Sequence, residues 1–338
     1  MAKIGVLLTN IGTPKSPEAQ DVGSYLDEFL MDPYVVDIPF LLRWILVKLL
    51  IVPRRKYKSG QAYKKIWLKE GSPLLVNSQQ LVLDLGKSLG QNFSVKLGMR
   101  YAEPSIGRAI TAFVSEGVSK LVVIPMYPQF ASSSSTSSLE KIREEVNLQN
   151  WTTEIKNIDA FFDRPEFIDS YAMIIRESLA DRKVDHYLFS YHGLPERQIQ
   201  ALHPNHCFQT ANCCEVMSAK NQNCYRAQCV QTTLRLAKAL NLESGQFSFS
   251  FQSRLGRTKW IDPYTDHILP ELARNGVKTL AVVCPSFVAD CLETLEEIGL
   301  RGQTDFKAAG GHELYLVPCL NAHPIWTKSL SQLILKSL

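Results

Sequence analysis

The clearest indication of the fold is the sequence Asn275-Gly276-Val277-Lys278-Thr279-Leu280-Ala281-Val282-Val283-Cys284-Pro285. In it, a helix end and a glycine turn lead into an apolar strand. The first half carries the same pattern in Glu116-Gly117-Val118-Ser119-Lys120-Leu121-Val122-Val123-Ile124-Pro125. Strands of this kind alternate with helical periodicity at 104–113 and 262–274, which is typical of βα units around a parallel sheet. We therefore expect an α/β protein with two lobes, each a parallel sheet flanked by helices.

The spacing of matching glycines predicts where the two halves differ. Gly12 and Gly117 are 105 positions apart, whereas Gly193 and Gly276 are 83 apart. The first half therefore carries an extra segment. We expect a first lobe at 1–150 with this extra segment at about 33–69, a second lobe at 151–318 with a cysteine-rich insert at about 203–229, and a C-terminal helix at 319–338 that packs back on the first lobe.

Composition narrows the class of protein. The chain has 338 residues and a net charge of +4, and no Lys/Arg run is dense enough for a nucleic-acid stripe. The first ten residues have the pattern of a strand rather than of a signal peptide, and no run of 18 uncharged apolar residues occurs. We expect a cytoplasmic protein without a disulfide framework.

The extra segment, called the lip segment (residues 33–69) from here on, has two interpretations. Its apolar stretch 38–52 is interrupted by Arg43 and Lys48. It is either a core-facing helix whose two cations point outward, or a lip over a hydrophobic cleft that also touches a membrane surface. The basic run 54–58 suits anionic headgroups.

The serine-rich stretch 131–138 also has two interpretations. Its composition is that of a flexible linker. Its position between a strand and a helix at 139–146 favours an anion site at a helix N-terminus.

An imidazole follows one predicted strand. The apolar run 186–189 leads into Ser190-Tyr191-His192-Gly193-Leu194-Pro195. Ligands of open parallel sheets bind at the carboxyl edge, and neutral imidazole is both a base near pH 7 and a metal ligand. A hydrogen-bonded structural histidine is the alternative.

Carboxylates follow another predicted strand, at 279–283. Asp290, Glu293 and Glu297 are spaced by three and four residues, so they share one face of a helix. A capping box would account for Asp290 and Glu293 but not for Glu297. Three acids aimed at the edge that carries His192 indicate a proton relay beside a metal ion.

Five cysteines lie within 23 residues, which predicts a metal site. All-thiolate ligation fits a structural zinc or an iron–sulfur cluster. His203 and His206 could replace thiolates, which would favour zinc. Because adjacent cysteines do not easily bind one metal, we expect four of the five to ligate; the candidates are Cys207, Cys213, Cys214, Cys224 and Cys229.

The stretch 251–265 supplies arginines, a glycine and Trp260 after a strand. A flat aromatic wall beside cations suits a large planar acid. A surface cation cluster with one structural tryptophan is the alternative.

These motifs together resemble the ferrochelatases, which insert ferrous iron into a porphyrin to make haem. The resemblance runs through nearly the whole chain in family order. It is carried by Leu7-Leu8-Thr9-Asn10-Ile11-Gly12-Thr13-Pro14, Glu70-Gly71-Ser72-Pro73-Leu74, Gly98-Met99-Arg100-Tyr101, Ile124-Pro125-Met126-Tyr127-Pro128-Gln129-Phe130, the His192 motif, Phe251-Gln252-Ser253-Arg254 and Asp290-Cys291-Leu292-Glu293-Thr294-Leu295.

The resemblance implies two Rossmann-like lobes of chelatase type with porphyrin in the cleft between them. His192 and Glu293 take the positions of the family's catalytic histidine and carboxylate. From their chemistry we expect this pair also to bind Fe2+, with Glu293 passing protons to Glu297 and Asp290. Many relatives have histidine where this chain has Cys291. Substrate contacts are implied for Ile11, Ser72 at a propionate, Arg100, Tyr101, Tyr127 and Trp260.

The resemblance also implies a [2Fe–2S] cluster within the cysteine-rich insert, with structural zinc as the alternative. The lip segment favours protoporphyrin IX as the substrate and a peripheral contact with the inner membrane surface. The alternatives are a coproporphyrin ferrochelatase, a chelatase for another tetrapyrrole, and a carrier that binds tetrapyrrole or metal without chemistry.

Overall fold

The computed structural model describes residues 3–204, 207–208, 210, 212–254, 256 and 258–338. The chain forms two compact units. The first unit comprises Met1–Tyr127, Ala131–Ala160 and Ala322–Leu338, and the second comprises Pro128–Phe130 and Phe161–Asn321.

The first unit is built on a four-stranded parallel sheet in the order β2-β1-β3-β4. Val6, Leu7 and Leu8 in the central strand are fully buried, as expected for a sheet covered on both faces. Leu8 pairs in register with Leu97 on one side and Ile124 on the other. The strands are β1 (Ile4–Gly12), β2 (Phe93–Tyr101), β3 (Lys120–Pro125) and β4 (Glu154–Asn157).

Helices flank this sheet, and two short π-helices interrupt the series. Ile110 and Phe113 pack with Leu7 and Val123 in one core cluster. The helices are α1 (Ala19–Leu30), α2 (Phe40–Trp44), π1 (Ile45–Ile51), α3 (Val52–Ile66), α4 (Pro73–Leu89), α5 (Ile106–Ser115), π2 (Ser132–Thr136) and α6 (Ser137–Leu148).

The second unit repeats the plan with the order β6-β5-β7-β8, again all parallel. His192 pairs with Gln252, and Phe189 pairs with Val283. The predicted fold class, two parallel sheets each flanked by helices, is confirmed. The strands are β5 (His186–His192), β6 (Phe247–Gln252), β7 (Thr279–Val283) and β8 (Glu313–Leu316).

The helices of the second unit are α7 (Pro165–Leu179), α8 (Glu196–Leu202), α9 (Tyr225–Leu240), α10 (Thr265–Arg274), π3 (Glu293–Gly302) and α11 (Gln303–Ala308). The last helix, α12 (Pro324–Ser337), belongs to the first unit and packs against α4. Within the described residues, no helix is both long enough and apolar enough to cross a membrane.

Of the two cations that interrupt the apolar stretch of the lip segment, Lys48 is exposed and pairs with Asp27, whereas Arg43 does not point outward. Arg43 is buried at 8% exposure and donates from Nη1 to the carbonyls of Val36 and Ile38, at 3.1 Å each. Phe40 and Leu41 are instead 64% and 66% exposed. The guanidinium satisfies turn carbonyls inside the segment, so the apolar face is the one left outside.

The serine-rich stretch is helical, not a linker. It forms π2 and the first turn of α6, and Ser137 and Ser138 are buried. Their hydroxyls bind side chains of the same unit, as described below.

Candidate functional site

His192 is the last residue of β5, and three groups around it fix its backbone and ring. Its N–H donates to Ser286 Oγ at 3.0 Å, and its carbonyl accepts from the Tyr225 hydroxyl at 2.8 Å. The Phe287 ring lies at 6.2 Å from the imidazole centroid. The strand end therefore presents this imidazole in one place.

The imidazole tautomer follows from a single contact. Nδ1 lies 2.6 Å from the carbonyl oxygen of Gly193. Because a carbonyl can only accept, Nδ1 carries the proton in this arrangement. The lone pair of a neutral ring is then on Nε2, which is the nitrogen that can accept a proton or bind a metal.

Trp260 stands beside this imidazole, with the two ring centroids 6.4 Å apart. Its segment bridges to the His192 motif, where Ile261 N–H donates to Leu194 at 2.9 Å. A Cβ on Gly193 would approach Trp260 to 3.2 Å and the Gln252 carbonyl to 2.9 Å. The glycine therefore lets the tryptophan and β6 come close to the histidine.

Glu293 begins π3, a few residues after β7, which neighbours β5 in the sheet. Its carbonyl accepts from the buried Gln252 side chain at 2.7 Å. The neighbouring Cys291 thiol is buried, and burial followed by the Glu293 charge raises the pKa of that thiol. Sequence reasoning expected an α-helix here; the chain instead takes the wider π form.

Glu297 lies one turn further along π3 and is half-buried. Ser253 donates its N–H to Oε1 at 2.8 Å and its hydroxyl to Oε2 at 2.6 Å. Burial raises the pKa of Glu297 above its usual range, while the Ser253 bonds and Arg301 oppose that rise. A carboxylate in this environment is suited to taking up a proton.

Asp290 is buried and bound to a neighbouring loop. Oδ2 accepts from Asn321 Nδ2 at 2.7 Å, and Oδ1 accepts from the Thr294 hydroxyl at 3.1 Å. The helix cap at Leu292 has no side-chain hydrogen bond. The capping box of Asp290 with Glu293 is therefore not formed.

The first unit carries Arg100 and Tyr101 at the end of β2. Both side chains bind the carboxylate of Asp32, and Arg100 Nε donates to Ser137 Oγ at 2.7 Å. Burial and the Asp32 charge raise the pKa of the Tyr101 hydroxyl, which stays a donor. Gly12 is required beside them, because a Cβ there would lie 1.9 Å from the Tyr101 carbonyl.

Three more predicted substrate contacts lie in the same unit. Ser72 is buried and accepts from the Thr13 hydroxyl at 2.8 Å. Tyr127 has its hydroxyl 3.2 Å from Ser138 Oγ, and burial raises its pKa. Ile11 is partly buried near the end of β1.

The five candidate cysteines form two sulfur pairs and one separate thiol. Cys207 and Cys224 have their Sγ atoms 3.8 Å apart, and those of Cys213 and Cys214 are 3.6 Å apart. Cys229 is buried in α9 beside the Tyr225 hydroxyl. Adjacency in sequence therefore does not keep the Cys213 and Cys214 sulfurs apart.

Each pair has the spacing of two thiolates on one metal, since two thiolates bound tetrahedrally at about 2.3 Å lie about 3.8 Å apart. Burial raises the pKa of the Cys213 thiol, and a hydrogen bond with Cys224 together with burial raises that of Cys214. Arg226 opposes both shifts.

His203 and His206 are the histidines of this segment that a mononuclear metal site could use. His203 Nε2 is buried without a partner in the same part of the chain, and His206 lies outside the described residues. Among the residues that the structure describes, no group of three or more His, Cys, Asp or Glu side chains could hold a metal ion.

Sequence reasoning missed the residues that hold the site. Asp32, Ser253 and Gln252 each bind a predicted site residue through the side chain. Asp32 had a weak signal, since Asp before Pro favours a turn. Ser253 lies within a quoted motif, but its carboxylate partner is 44 residues away in sequence.

Two units that each carry a parallel sheet flanked by helices give this chain the fold of the α/β chelatases. Solved structures of SirB share the fold. SirB from Bacillus subtilis with Fe3+ has a TM-score of 0.57 at 11% identity, covering 99% of this chain and 95% of that one. The sirohydrochlorin chelatase SirB from B. subtilis subspecies spizizenii with cobalt has a TM-score of 0.55 at 10% identity, over the same shares of the two chains.

The chain belongs to the ferrochelatase family, whose model matches residues 3–338. Curated relatives named ferrochelatase agree with this over nearly their full lengths. The protein from Coxiella burnetii strain Dugway 5J108-111 is 48% identical, over 99% of this chain and 94% of that one. Those from Bdellovibrio bacteriovorus HD100 and Pseudomonas fluorescens Pf0-1 are both 46% identical, over 99% and 98% of both chains respectively.

Proposed function

We propose that this protein is a ferrochelatase of the lyase class, inserting Fe2+ into protoporphyrin IX to give protohaem in the last step of haem biosynthesis. The observation that carries the proposal is the fixed His192 ring, whose Nε2 is left as the basic nitrogen beside the strand that leads to Glu293. Membership of the ferrochelatase family supports the choice of reaction.

The reaction exchanges two pyrrole N–H protons for one Fe2+, so two protons leave the porphyrin for each iron bound. His192 accepts a pyrrole proton at Nε2. A positioned general base contributes roughly 10²–10⁴-fold to the rate of such a step. The Gly193 carbonyl stabilises the imidazolium, because Nδ1–H already donates to it at 2.6 Å.

Glu293 and His192 together hold the Fe2+ before insertion, because carboxylate oxygen and imidazole nitrogen suit a divalent first-row metal. Once the iron has passed to the porphyrin, Nε2 is free to accept the first pyrrole proton. Glu293 accepts the second and passes it to Glu297, whose raised pKa lets it hold a proton more readily than an exposed glutamate. Asp290 is the third acid of the relay, held by Asn321.

Six side chains contact the porphyrin in this proposal. Arg100 and Ser72 meet its carboxylates, and Trp260 offers an aromatic face beside His192. Ile11, Tyr101 and Tyr127 complete the set of substrate contacts.

We further propose a [2Fe–2S] cluster as the resident cofactor. Cys207 with Cys224, and Cys213 with Cys214, would supply the thiolates, since each pair has the sulfur spacing of two ligands on one metal. When bound, the cluster would add a one-electron redox group. Structural zinc is the alternative, and the unpartnered His203 Nε2 favours that choice.

The location that we propose is the cytoplasm, with peripheral contact at the membrane. Exposed Phe40, Leu41, Leu42, Leu49 and Leu50 form an apolar surface on the lip segment. The basic run 54–58 follows it and suits anionic headgroups.

The alternatives are a chelatase for coproporphyrin or another tetrapyrrole, and a carrier without chemistry. An anaerobic assay of the purified protein with Fe2+ and either porphyrin separates them. Many turnovers with protoporphyrin IX support the proposal. Stoichiometric binding without turnover would indicate a carrier, and faster turnover of coproporphyrin would correct the substrate.

A further inference from the structure

Asp32 is an almost completely buried carboxylate at the end of α1. Its side chain is 1% exposed. Oδ2 accepts hydrogen bonds from Arg100 Nη2, from the Tyr101 hydroxyl at 2.8 Å and from the Ser137 hydroxyl at 2.6 Å. Oδ1 accepts from the Tyr34 N–H at 2.7 Å. One anion thus joins the end of β2, the start of α6 and the beginning of the lip segment.

These bonds leave Arg100 a single orientation. Nε donates to Ser137 Oγ at 2.7 Å and to its carbonyl at 3.2 Å. The guanidinium carbon lies 4.6 Å from the centroid of the Tyr101 ring. Nη1 takes part in none of these bonds, and 16% of the Arg100 side chain remains exposed.

Asp32 directly precedes the lip segment and binds the backbone of its first residues. Its carbonyl accepts from the backbone N–H groups of Val35 and Val36 at 3.1 and 3.0 Å. The Tyr34 bond to Oδ1 adds the side chain to the same turn. The position of the lip segment at its first residues and the orientation of Arg100 therefore depend on one residue.

The charge of Asp32 is needed for this arrangement. A buried guanidinium that loses its carboxylate keeps its desolvation cost without compensation, so it turns toward water or takes up a new partner. An arginine side chain that is released also regains conformational entropy, because it can adopt several rotamers again. An uncharged isostere at this position would thus free Arg100 from its present orientation.

We propose that Asp32 is a positioning residue for porphyrin binding: it fixes the Arg100 guanidinium so that Nη1 meets a porphyrin carboxylate, and it ties that contact to the start of the lip segment. The inference rests on the proposed role of Arg100 as a porphyrin contact. It assigns no part in the chemistry to Asp32.

The test measures protoporphyrin IX binding without iron, by fluorescence titration of Asp32→Asn. Losing a hydrogen bond to a charged group should weaken binding about tenfold or more. The KM for Fe2+ should stay unchanged, because Asp32 acts on the porphyrin alone. Asp84→Asn, which alters a carboxylate on α4 bound to Gln80 and Lys87, is the matched control and should bind as the wild type does.

A double-mutant cycle with Arg100→Met decides whether Asp32 acts through Arg100. In the Arg100→Met background, Asp32→Asn should weaken binding no further. An equal loss in both backgrounds would overturn the inference, as would unchanged affinity of Asp32→Asn itself.

If Asp32→Asn does not fold, Ser137→Ala replaces it in the same double-mutant cycle. It removes one donor to Asp32 and one acceptor of Arg100 without leaving a buried charge unpaired. A weaker loss of porphyrin affinity that disappears in the Arg100→Met background supports the inference, and a loss that persists there contradicts it. Wild-type protein that binds porphyrin but inserts no iron would contradict the proposed function and still leave this cycle measurable.

Discussion

Ser253 holds both oxygens of the Glu297 carboxylate, through its N–H at 2.8 Å and its hydroxyl at 2.6 Å. Ser253 adopts a φ of +67°, which is uncommon for a residue with a side chain. The end of β6 therefore carries backbone strain where it binds a half-buried acid of the proposed relay, and strain of this kind is often found at functional sites.

Two substitutions of Ser253 separate the effect of its hydroxyl bond on Glu297 from the effect of its strained backbone. Ser253→Ala loses the hydroxyl bond and keeps the unfavourable φ, whereas Ser253→Gly loses the bond and relieves the strain. Because the lost bond stabilised the carboxylate, the pKa of Glu297 should rise in both variants. The acid limb of the iron-insertion pH profile should then move to higher pH by a similar amount in each.

The two variants should differ in stability, with the glycine variant the more stable. A pH profile that moves in the alanine variant alone would mean that strain, rather than the hydroxyl bond, sets the titration of Glu297. Profiles that do not move at all would remove Glu297 from the relay.

Glu297→Gln should stabilise the protein at neutral pH and slow the reaction. Burial raises the pKa of Glu297 above 4.5, so the folded protein keeps a proton that the unfolded chain loses. Stability therefore falls as pH rises from about 4.5 through the folded pKa, and it stays lower above that value. The glutamine variant cannot ionise at this position, so this fall in stability does not occur in it over this pH range.

Melting temperatures of the wild type and Glu297→Gln at pH 4 and pH 7 check this. The two proteins should melt alike at pH 4, and the variant should melt higher at pH 7. A variant that is less stable at both values would mean that the ionised carboxylate is a structural requirement of π3.

The apolar surface of the lip segment should bind lipid. The double variant Leu41→Ser, Leu49→Ser removes two leucines that are 66% and 56% exposed. Since each buried leucine side chain contributes roughly 1.5–3 kcal/mol, binding to anionic vesicles in a sedimentation assay should drop by more than tenfold.

Leu83→Ser is the matched control for lipid binding, because Leu83 is 60% exposed on α4 of the same unit. It should leave vesicle binding unchanged. Equal binding by the wild type and the double variant would contradict membrane contact through this surface.

Because Cys224 belongs to a sulfur pair and Cys229 does not, we expect different results when each is substituted. Cys224 is the N-cap of α9, and Cys229 lies within that helix. Cys224→Ser removes one sulfur of a pair and should abolish the visible absorption and the electron paramagnetic resonance signal of the reduced protein. Cys229→Ser alters a thiol outside both pairs and should retain them. Retention in Cys224→Ser would show that this thiol is not a ligand, and a zinc content equal to the protein content would replace the cluster with zinc.

The fold was predictable from the sequence because the information is local. A continuous apolar run such as Thr279–Val283 between turn signals predicts a buried parallel strand. The residues that follow such a strand lie at the carboxyl edge of the sheet, which is how the sequence places the acids after this strand and His192 after an earlier one. The repeat of the glycine-turn-strand pattern predicted the second sheet in the same way.

The supporting contacts were not predictable, because they depend on residues distant in sequence. Asp32 meets Arg100 across 68 positions, and Ser253 meets Glu297 across 44. The inward position of Arg43 was not predicted either, since only the tertiary positions of the Val36 and Ile38 carbonyls decide it. The π form of π3 likewise has no periodicity signal over ten residues.

The proposed base is tested most directly by His192→Ala in a single-turnover experiment with bound protoporphyrin IX and excess Fe2+. Porphyrin binding should stay within about threefold of the wild type, and insertion should be slowed by roughly 10²-fold or more. Tyr225→Phe, which removes only the hydroxyl bound to the His192 carbonyl, should retain most of the rate. Insertion at the wild-type rate by His192→Ala, with porphyrin bound, would contradict the assignment of His192 as the base.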